Sequence, residues 1–144
     1  MTFSEKIPSR LEVIPQFISS VMDKLRHLLT EKEIFDVKLC LEEALVNAVK
    51  HGNKLKPGLF VEVVIEVENG RLTLKVIDQG EGYDYKNIPD PTKPDNLHKL
   101  CGRGTFLIKK LTDEVEFFDG GRGIKMIKFL SKEVGGEDKK GKTQ

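Results

Sequence analysis

Apolar residues recur along this chain at two periods, and the switches between them mark out its elements. From Ile14 to Leu29 the residues Phe17, Ile18, Val21, Leu25, Leu28 and Leu29 fall three or four apart, the spacing of one helix face. Ahead of them, Thr2 to Val13 mixes polar and apolar positions around Pro8 and predicts an edge strand, because proline has no amide hydrogen for a ladder. A second helix opens after Thr30, which with Glu33 makes a TxxE capping box: hydroxyl and carboxylate each answer an amide left free at the helix start. Its apolar stripe runs through Ile34, Val37, Leu41, Ala44, Leu45 and Ala48, and Gly52 and Asn53, which tolerate positive φ, predict its end.

The period then changes to two. Val61, Val63, Ile65 and Val67 alternate with Glu62, Val64, Glu66 and Glu68, so one strand face is buried. Asn69 and Gly70 favour a two-residue hairpin turn, which pairs Glu68 with Arg71, Val67 with Leu72, Ile65 with Leu74 and Val63 with Val76. The same alternation puts Asp78 on the face of Leu72, Leu74 and Val76, under the helices. A carboxylate buried there without hydrogen bonds costs several kcal/mol. It therefore needs a donor, from the protein or from a ligand.

Asp78 opens DQGEG, where Gly80 and Gly82 remove side chains beside the acid; a plain turn is an equal reading of these residues alone. Tyr83 to Cys101 is a long loop carrying Pro89, Pro91 and Pro94, a length that compact domains reserve for function or motion. Gly102 and Gly104 flank Arg103 at the start of a third helix marked by Phe106, Leu107, Ile108 and Leu111. Bare amides at such a start attract phosphate, and Arg103 adds a charged fork. Val115–Phe118 and Ile124–Leu130 read as two last strands joined around Asp119–Gly123. Residues 1–131 are thus expected to form one domain, with 132–144 a disordered tail rich in lysine, glycine and acid.

Composition narrows the partners. With 24 basic and 23 acidic residues the net charge is +1, so no overall field draws the chain to nucleic acid or to an anionic membrane. No apolar run is long enough to span a bilayer, no secretory signal opens the chain, and Cys40 and Cys101 form no CxxC pair; the expected home is the cytoplasm. GEDKKGKT, from Gly136 to Thr143, spells a P-loop without the strand and helix that such a loop needs. Neither glycine pair completes GxGxxG, and His98 with Cys101 lacks a second pair for structural zinc. Cys40 reads as a small core residue, and His51 as a cation beside the last carbonyls of its helix.

Glu43 and Asn47 carry the chemistry of the second helix. Four residues apart, they share one face at the border of the buried side, where a carboxylate and an amide oxygen can orient a hydroxyl and hold Mg²⁺. Taken alone, the pair also fits a solvated polar stripe.

The ordered set EALVNAVKH, DQGEG and GRGTFLIKKLTDEVEF resembles the GHKL (Bergerat-fold) ATPases, and among them the anti-sigma-factor serine kinases, from about Ile14 to Leu130. The resemblance implies an α/β (α+β) two-layer sandwich, a mixed, largely antiparallel sheet with helices on one face. It implies Glu43 as the general base, Asn47 as the Mg²⁺ ligand and Asp78 as acceptor of the adenine amino hydrogen, with Gly80 and Gly82 beneath the base. Lys50 and His51 join the nucleotide-binding set, the segment from Tyr83 to Cys101 becomes an ATP lid, and Gly102, Arg103, Gly104 and Thr105 its phosphate-binding end. Ile124 stands where many relatives place a small hydroxyl residue.

The implied function is a serine/threonine protein kinase using ATP and Mg²⁺ to phosphorylate an anti-anti-sigma (STAS-domain) partner, while also sequestering a sigma factor, as a homodimer. The alternative is a non-catalytic ATP-binding module that holds a sigma factor or response regulator. A base at Glu43 favours the enzyme, because binding alone does not need one.

Overall fold

The computed structural model describes residues 1–82 and 100–131, and of 100–105 the backbone alone. The predicted lid, His98, the tail and its GEDKKGKT sequence lie outside the described residues, apart from the backbone of Leu100 and Cys101.

In chain order the elements are β1 (Thr2–Pro8), α1 (Ile14–Leu25), α2 (Glu31–Asn47), β2 (Phe60–Glu68), β3 (Arg71–Ile77), α3 (Leu100–Leu111), β4 (Glu114–Phe118) and β5 (Gly123–Phe129). The strands form one sheet in the order β1-β2-β3-β5-β4, and all four pairings are antiparallel. The result is an α+β two-layer sandwich. One core joins Ile18, Val21, Met22 and Leu25 of α1, Leu41 and Leu45 of α2 and Ile108 of α3 to Val63, Ile65, Leu72, Leu74 and Met126 of the sheet. Each large aliphatic side chain buried there contributes about 1.5–3 kcal/mol.

The hairpin register is the predicted one, from Glu68 opposite Arg71 to Val63 opposite Val76. Asn69 and Gly70 both take positive φ, 55° and 74°, which matches the right-handed twist of the strands. Thr30 and Glu33 close the predicted capping box, with Thr30 Oγ1 accepting from the Glu33 amide and Glu33 Oε1 accepting from the Thr30 amide.

Several boundaries differ from expectation: α1 ends at Leu25, with Arg26–Leu28 a 3₁₀ turn, short of the expected Leu29. β1 stops at Pro8, and Leu11–Val13 forms a short 3₁₀ turn rather than more strand; the Ser9 amide donates to the Leu59 carbonyl as the chain leaves the ladder. At the end of α2, positive φ falls on Lys54 and Leu55, at 54° and 59°, not on Gly52 or Asn53. The helix widens into a π turn over Ala48–Gly52, closed by the Asn53 amide on the Ala48 carbonyl at 2.7 Å. Asn53 stays in ordinary backbone because its side chain is tied down on three sides, so the left-handed turn begins one residue later.

Helix α3 is held to α2 by Lys128 of β5. Its Nζ donates to the Leu111 carbonyl at the end of α3 and lies 3.4 Å from the buried Asp36 carboxylate of α2. The backbone of α3 already winds from Leu100, two residues ahead of Gly102.

Candidate functional site

A cleft opens between the last turns of α2 and the ends of β3 and β5. Ala44, Ala48, Val76 and Ile124 give it apolar walls, and Asn47, His51, Asp78 and Arg122 supply its polar side chains. It holds about 440 Å³ of empty space, counting its open mouth. An apolar cleft with a few converging polar groups is the usual form of a small-molecule site.

Asp78 sits where the pleat predicts, just past β3 and only 8% exposed. Its Oδ1 accepts from the Gly80 amide at 2.8 Å, while among the described residues Oδ2 receives no hydrogen bond. Burial raises its pKa above the ordinary aspartate range. The Gly80 amide and the Arg122 charge oppose that rise, and Asp119 adds to it. A buried acceptor with one lone-pair set unanswered is what an exocyclic amine can satisfy.

The room made by the two glycines of DQGEG is taken by protein backbone. A Cβ at Gly80 would overlap the Gly52 carbonyl, and one at Gly82 would overlap the Gly120 carbonyl. The turn is therefore clamped between the end of α2 and the β4–β5 connection, with no side chain to hold them apart. Gly52 is equally constrained, since a Cβ there would overlap Asp78 Oδ2.

Three polar side chains complete this clamp; the sequence patterns marked Asn53 only as a helix stop and singled out neither Gln79 nor Arg122. Asn53, 1% exposed, donates through Nδ2 to Ser9 Oγ at 3.0 Å and to the Phe60 carbonyl at 2.9 Å, and its Oδ1 accepts from the Gln79 amide at 2.7 Å. Gln79 returns along the same route, its Oε1 accepting from the Phe60 amide. Arg122 donates through Nε to the Gly80 carbonyl at 2.7 Å, and its own carbonyl accepts from the Asp78 amide at 3.0 Å. The only signals in the sequence were an asparagine after a helix-ending glycine and an arginine between glycines, both common in plain turns.

Glu43 lies on α2 one turn before Asn47, half-buried and outside the cleft lining. Burial, and then the neighbouring Glu42, raise its pKa above the usual glutamate range, which makes it a better proton acceptor. His51 lines the cleft, but burial and Lys50 lower its pKa. A neutral imidazole is favoured there, in place of the helix-end cation expected from sequence. Lys50 is half-buried on the π turn and does not line the cleft. Gly102, Arg103, Gly104 and Thr105 belong to the first turns of α3, and their side chains lie outside the described residues. Cys40 is fully buried, its thiol pushed up to about 12, chiefly by burial.

Among the described residues no three His, Cys, Asp or Glu side chains gather to hold a metal. Mg²⁺ that comes with phosphates needs only one or two protein ligands beside phosphate and water oxygens. The Asn47 amide oxygen, in the cleft, has the right chemistry for such a ligand.

Comparison with known proteins points the same way. Residues 7–128 match the family described as "Histidine kinase-like ATPase domain". The chain is similar to the serine-protein kinase RsbW of Staphylococcus epidermidis, 34% identical over 70% of this chain and 69% of that protein. It is 33% identical to the serine-protein kinase RsbW of Bacillus pumilus strain SAFR-032, over 89% of this chain and 85% of the relative. To that of Staphylococcus aureus strain MRSA252 it is 32% identical, over 72% and 70%.

Proposed function

Because the chain belongs to the histidine kinase-like ATPase family, we propose that it is a serine/threonine protein kinase that takes its phosphoryl group from ATP and acts on a protein partner. The observation that carries this reading is Asp78, a buried carboxylate whose Oδ2 is unanswered among the described residues, in an apolar cleft beside α2. An adenine amino group supplies the missing donor.

The chain's own residues divide the work. Asp78 fixes the base, and the clamp of Asn53, Gln79 and Arg122 fixes Asp78. Asn47 offers its amide oxygen to Mg²⁺, which when bound neutralises phosphate charge. Glu43 receives the proton of the partner's hydroxyl as that oxygen bonds to the γ-phosphorus and ADP departs. Its raised pKa, from burial and the neighbouring Glu42, makes it a stronger base than an ordinary glutamate. Phosphoryl transfer asks mainly for positioning and charge neutralisation, so these roles suffice. Gly102, Arg103, Gly104 and Thr105 carry the phosphates, with Lys50 and His51 alongside.

The partner is an anti-anti-sigma protein of the STAS type, and the same chain, as a homodimer in the cytoplasm, sequesters a sigma factor. Among the described residues no helix is long and apolar enough to cross a membrane. Incubation of the purified chain with γ-labelled ATP, Mg²⁺ and a STAS-domain protein from the same genome labels that protein. Glu43→Ala abolishes the label while ATP still binds. A wild-type chain that binds ATP and sigma factor but labels no STAS protein of that genome would overturn the kinase in favour of a binding module.

A further inference from the structure

Arg122 occupies an unusual place. It lines the base cleft on one side and, on the other, a second cavity behind the DQGEG turn shared with Gly52, Asn53 and Gln79. Its side chain is 38% exposed, so it is not there to fill the core. Its guanidinium instead bridges two turns, with Nε on the Gly80 carbonyl at 2.7 Å and Nη1 on the Asp119 carbonyl at 3.1 Å. Three consecutive residues of its own turn, Asp119, Gly120 and Gly121, take positive φ at 53°, 65° and 92°. For Asp119 this is uncommon backbone, of the kind found where surrounding structure imposes a shape. Its effect is to bring Arg122 back over the turn that carries Asp78.

We propose that Arg122 is a positioning residue for base recognition: its two-pronged hold on the Gly80 and Asp119 carbonyls fixes the angle at which Asp78 meets the base, and so sets the preference for a purine bearing an exocyclic amine at that point. This rests on the nucleotide reading above and adds a specificity determinant to it. The planar fork matters as well as the charge. Lysine, a single terminal ammonium, can answer one carbonyl but not both in this geometry. Without the fork the turn keeps its glycine contacts and the Asp78 amide keeps its bond to the backbone of residue 122. The fold therefore survives while the aim of the carboxylate loosens.

The test measures binding of ATP and GTP, each with Mg²⁺, to wild type, Arg122→Lys and Arg122→Ala, alongside melting temperatures. Wild type prefers ATP. Arg122→Lys folds normally and loses ATP affinity by roughly tenfold, as expected for one charge-assisted hydrogen bond, with the ATP-to-GTP ratio falling by a similar factor. Arg122→Ala falls at least as far. A purely structural arginine would lower both affinities together and leave the ratio unchanged, and that result overturns the inference, as does an Arg122→Lys protein that keeps wild-type affinity and selectivity. Wild-type protein that binds neither nucleotide brings down the nucleotide reading itself.

Discussion

The carboxylate of Asp78 lies directly over the Cα of Gly52, so close that a methyl group on that carbon would overlap Oδ2. Two segments 26 residues apart in sequence thus meet without an intervening side chain, where the π turn after α2 touches the end of β3. In a helix, Gly→Ala ordinarily gains about 1 kcal/mol of stability. Here the sign reverses: Gly52→Ala costs about 1–3 kcal/mol by overpacking and turns Asp78 away from the cleft. Denaturant unfolding and an ATP titration on the same variant check both halves.

Asp78→Asn separates function from stability. Burial raises the Asp78 pKa in the folded protein above its unfolded value, so the ionised form is penalised by folding. Its effect on stability is therefore a loss that sets in as pH rises from the ordinary aspartate range to the raised value, and is complete above it. Asparagine carries no charge and can still accept from the Gly80 amide through its oxygen. The variant melts higher than wild type at pH 7 and by a smaller margin in acid, yet fails to bind ATP.

The same shift sets the pH dependence of nucleotide binding. A protonated Asp78 no longer offers an anionic acceptor to the base. Affinity for ATP declines as pH falls through the raised Asp78 pKa, earlier than an ordinary aspartate would give. Arg122 holds that limb down and Asp119 pushes it up, with His51, largely neutral at pH 7, on the opposite wall. Calorimetric titrations at intervals below pH 7, compared with Asp119→Asn, locate the limb; in that variant it moves to lower pH.

Asn53→Ala is a strongly damaging polar change. It removes three hydrogen bonds at a site 1% exposed and leaves the Gln79 amide and the Phe60 carbonyl without that partner. Unfolding free energy drops by roughly 2 kcal/mol, the scale of three hydrogen bonds of which only the one to Ser9 is fully buried. Asn53→Asp, which keeps the acceptor for Gln79 but loses the donors, is expected to be no milder, because it also buries a charge.

Cys40 is silent to thiol reagents in the native state. With its pKa near 12 and no exposure, it carries almost no thiolate at pH 8. Reaction with a chromogenic disulfide follows global unfolding, and Cys40→Ser labelling kinetics distinguish it from Cys101.

Much of this architecture is written in local pattern. The alternation of Val61 to Val67, with Asn69 and Gly70, fixes the β2–β3 register to the residue, because a slip by one position would turn the whole apolar face to water. That register carries Asp78 into the interior, so the central acid of the site could be placed from sequence alone. The Thr30 and Glu33 box marks the start of α2 for an equally local reason: both partners lie within one turn. Asn47 follows onto the cleft wall by helical spacing, whereas His51, expected from its position as a helix-end cation, reaches it on the π turn.

What stayed hidden depends on contacts between segments distant in the chain. Asn53 bonds to residues 44 positions back and 26 ahead, and Arg122 to a carbonyl 42 positions back. No periodicity marks such partners, since each becomes one only after the sheet has closed. The π turn at Ala48–Gly52 and the left-handed Lys54 and Leu55 belong to the same class. They arise because the Asn53 side chain is claimed from three sides, and the backbone bends where that leaves it free to. The sequence by itself determined which residues face inward and that an acid lies among them; the tertiary structure decided how that acid is aimed, because aim is set by bonds between segments 26 to 44 residues apart.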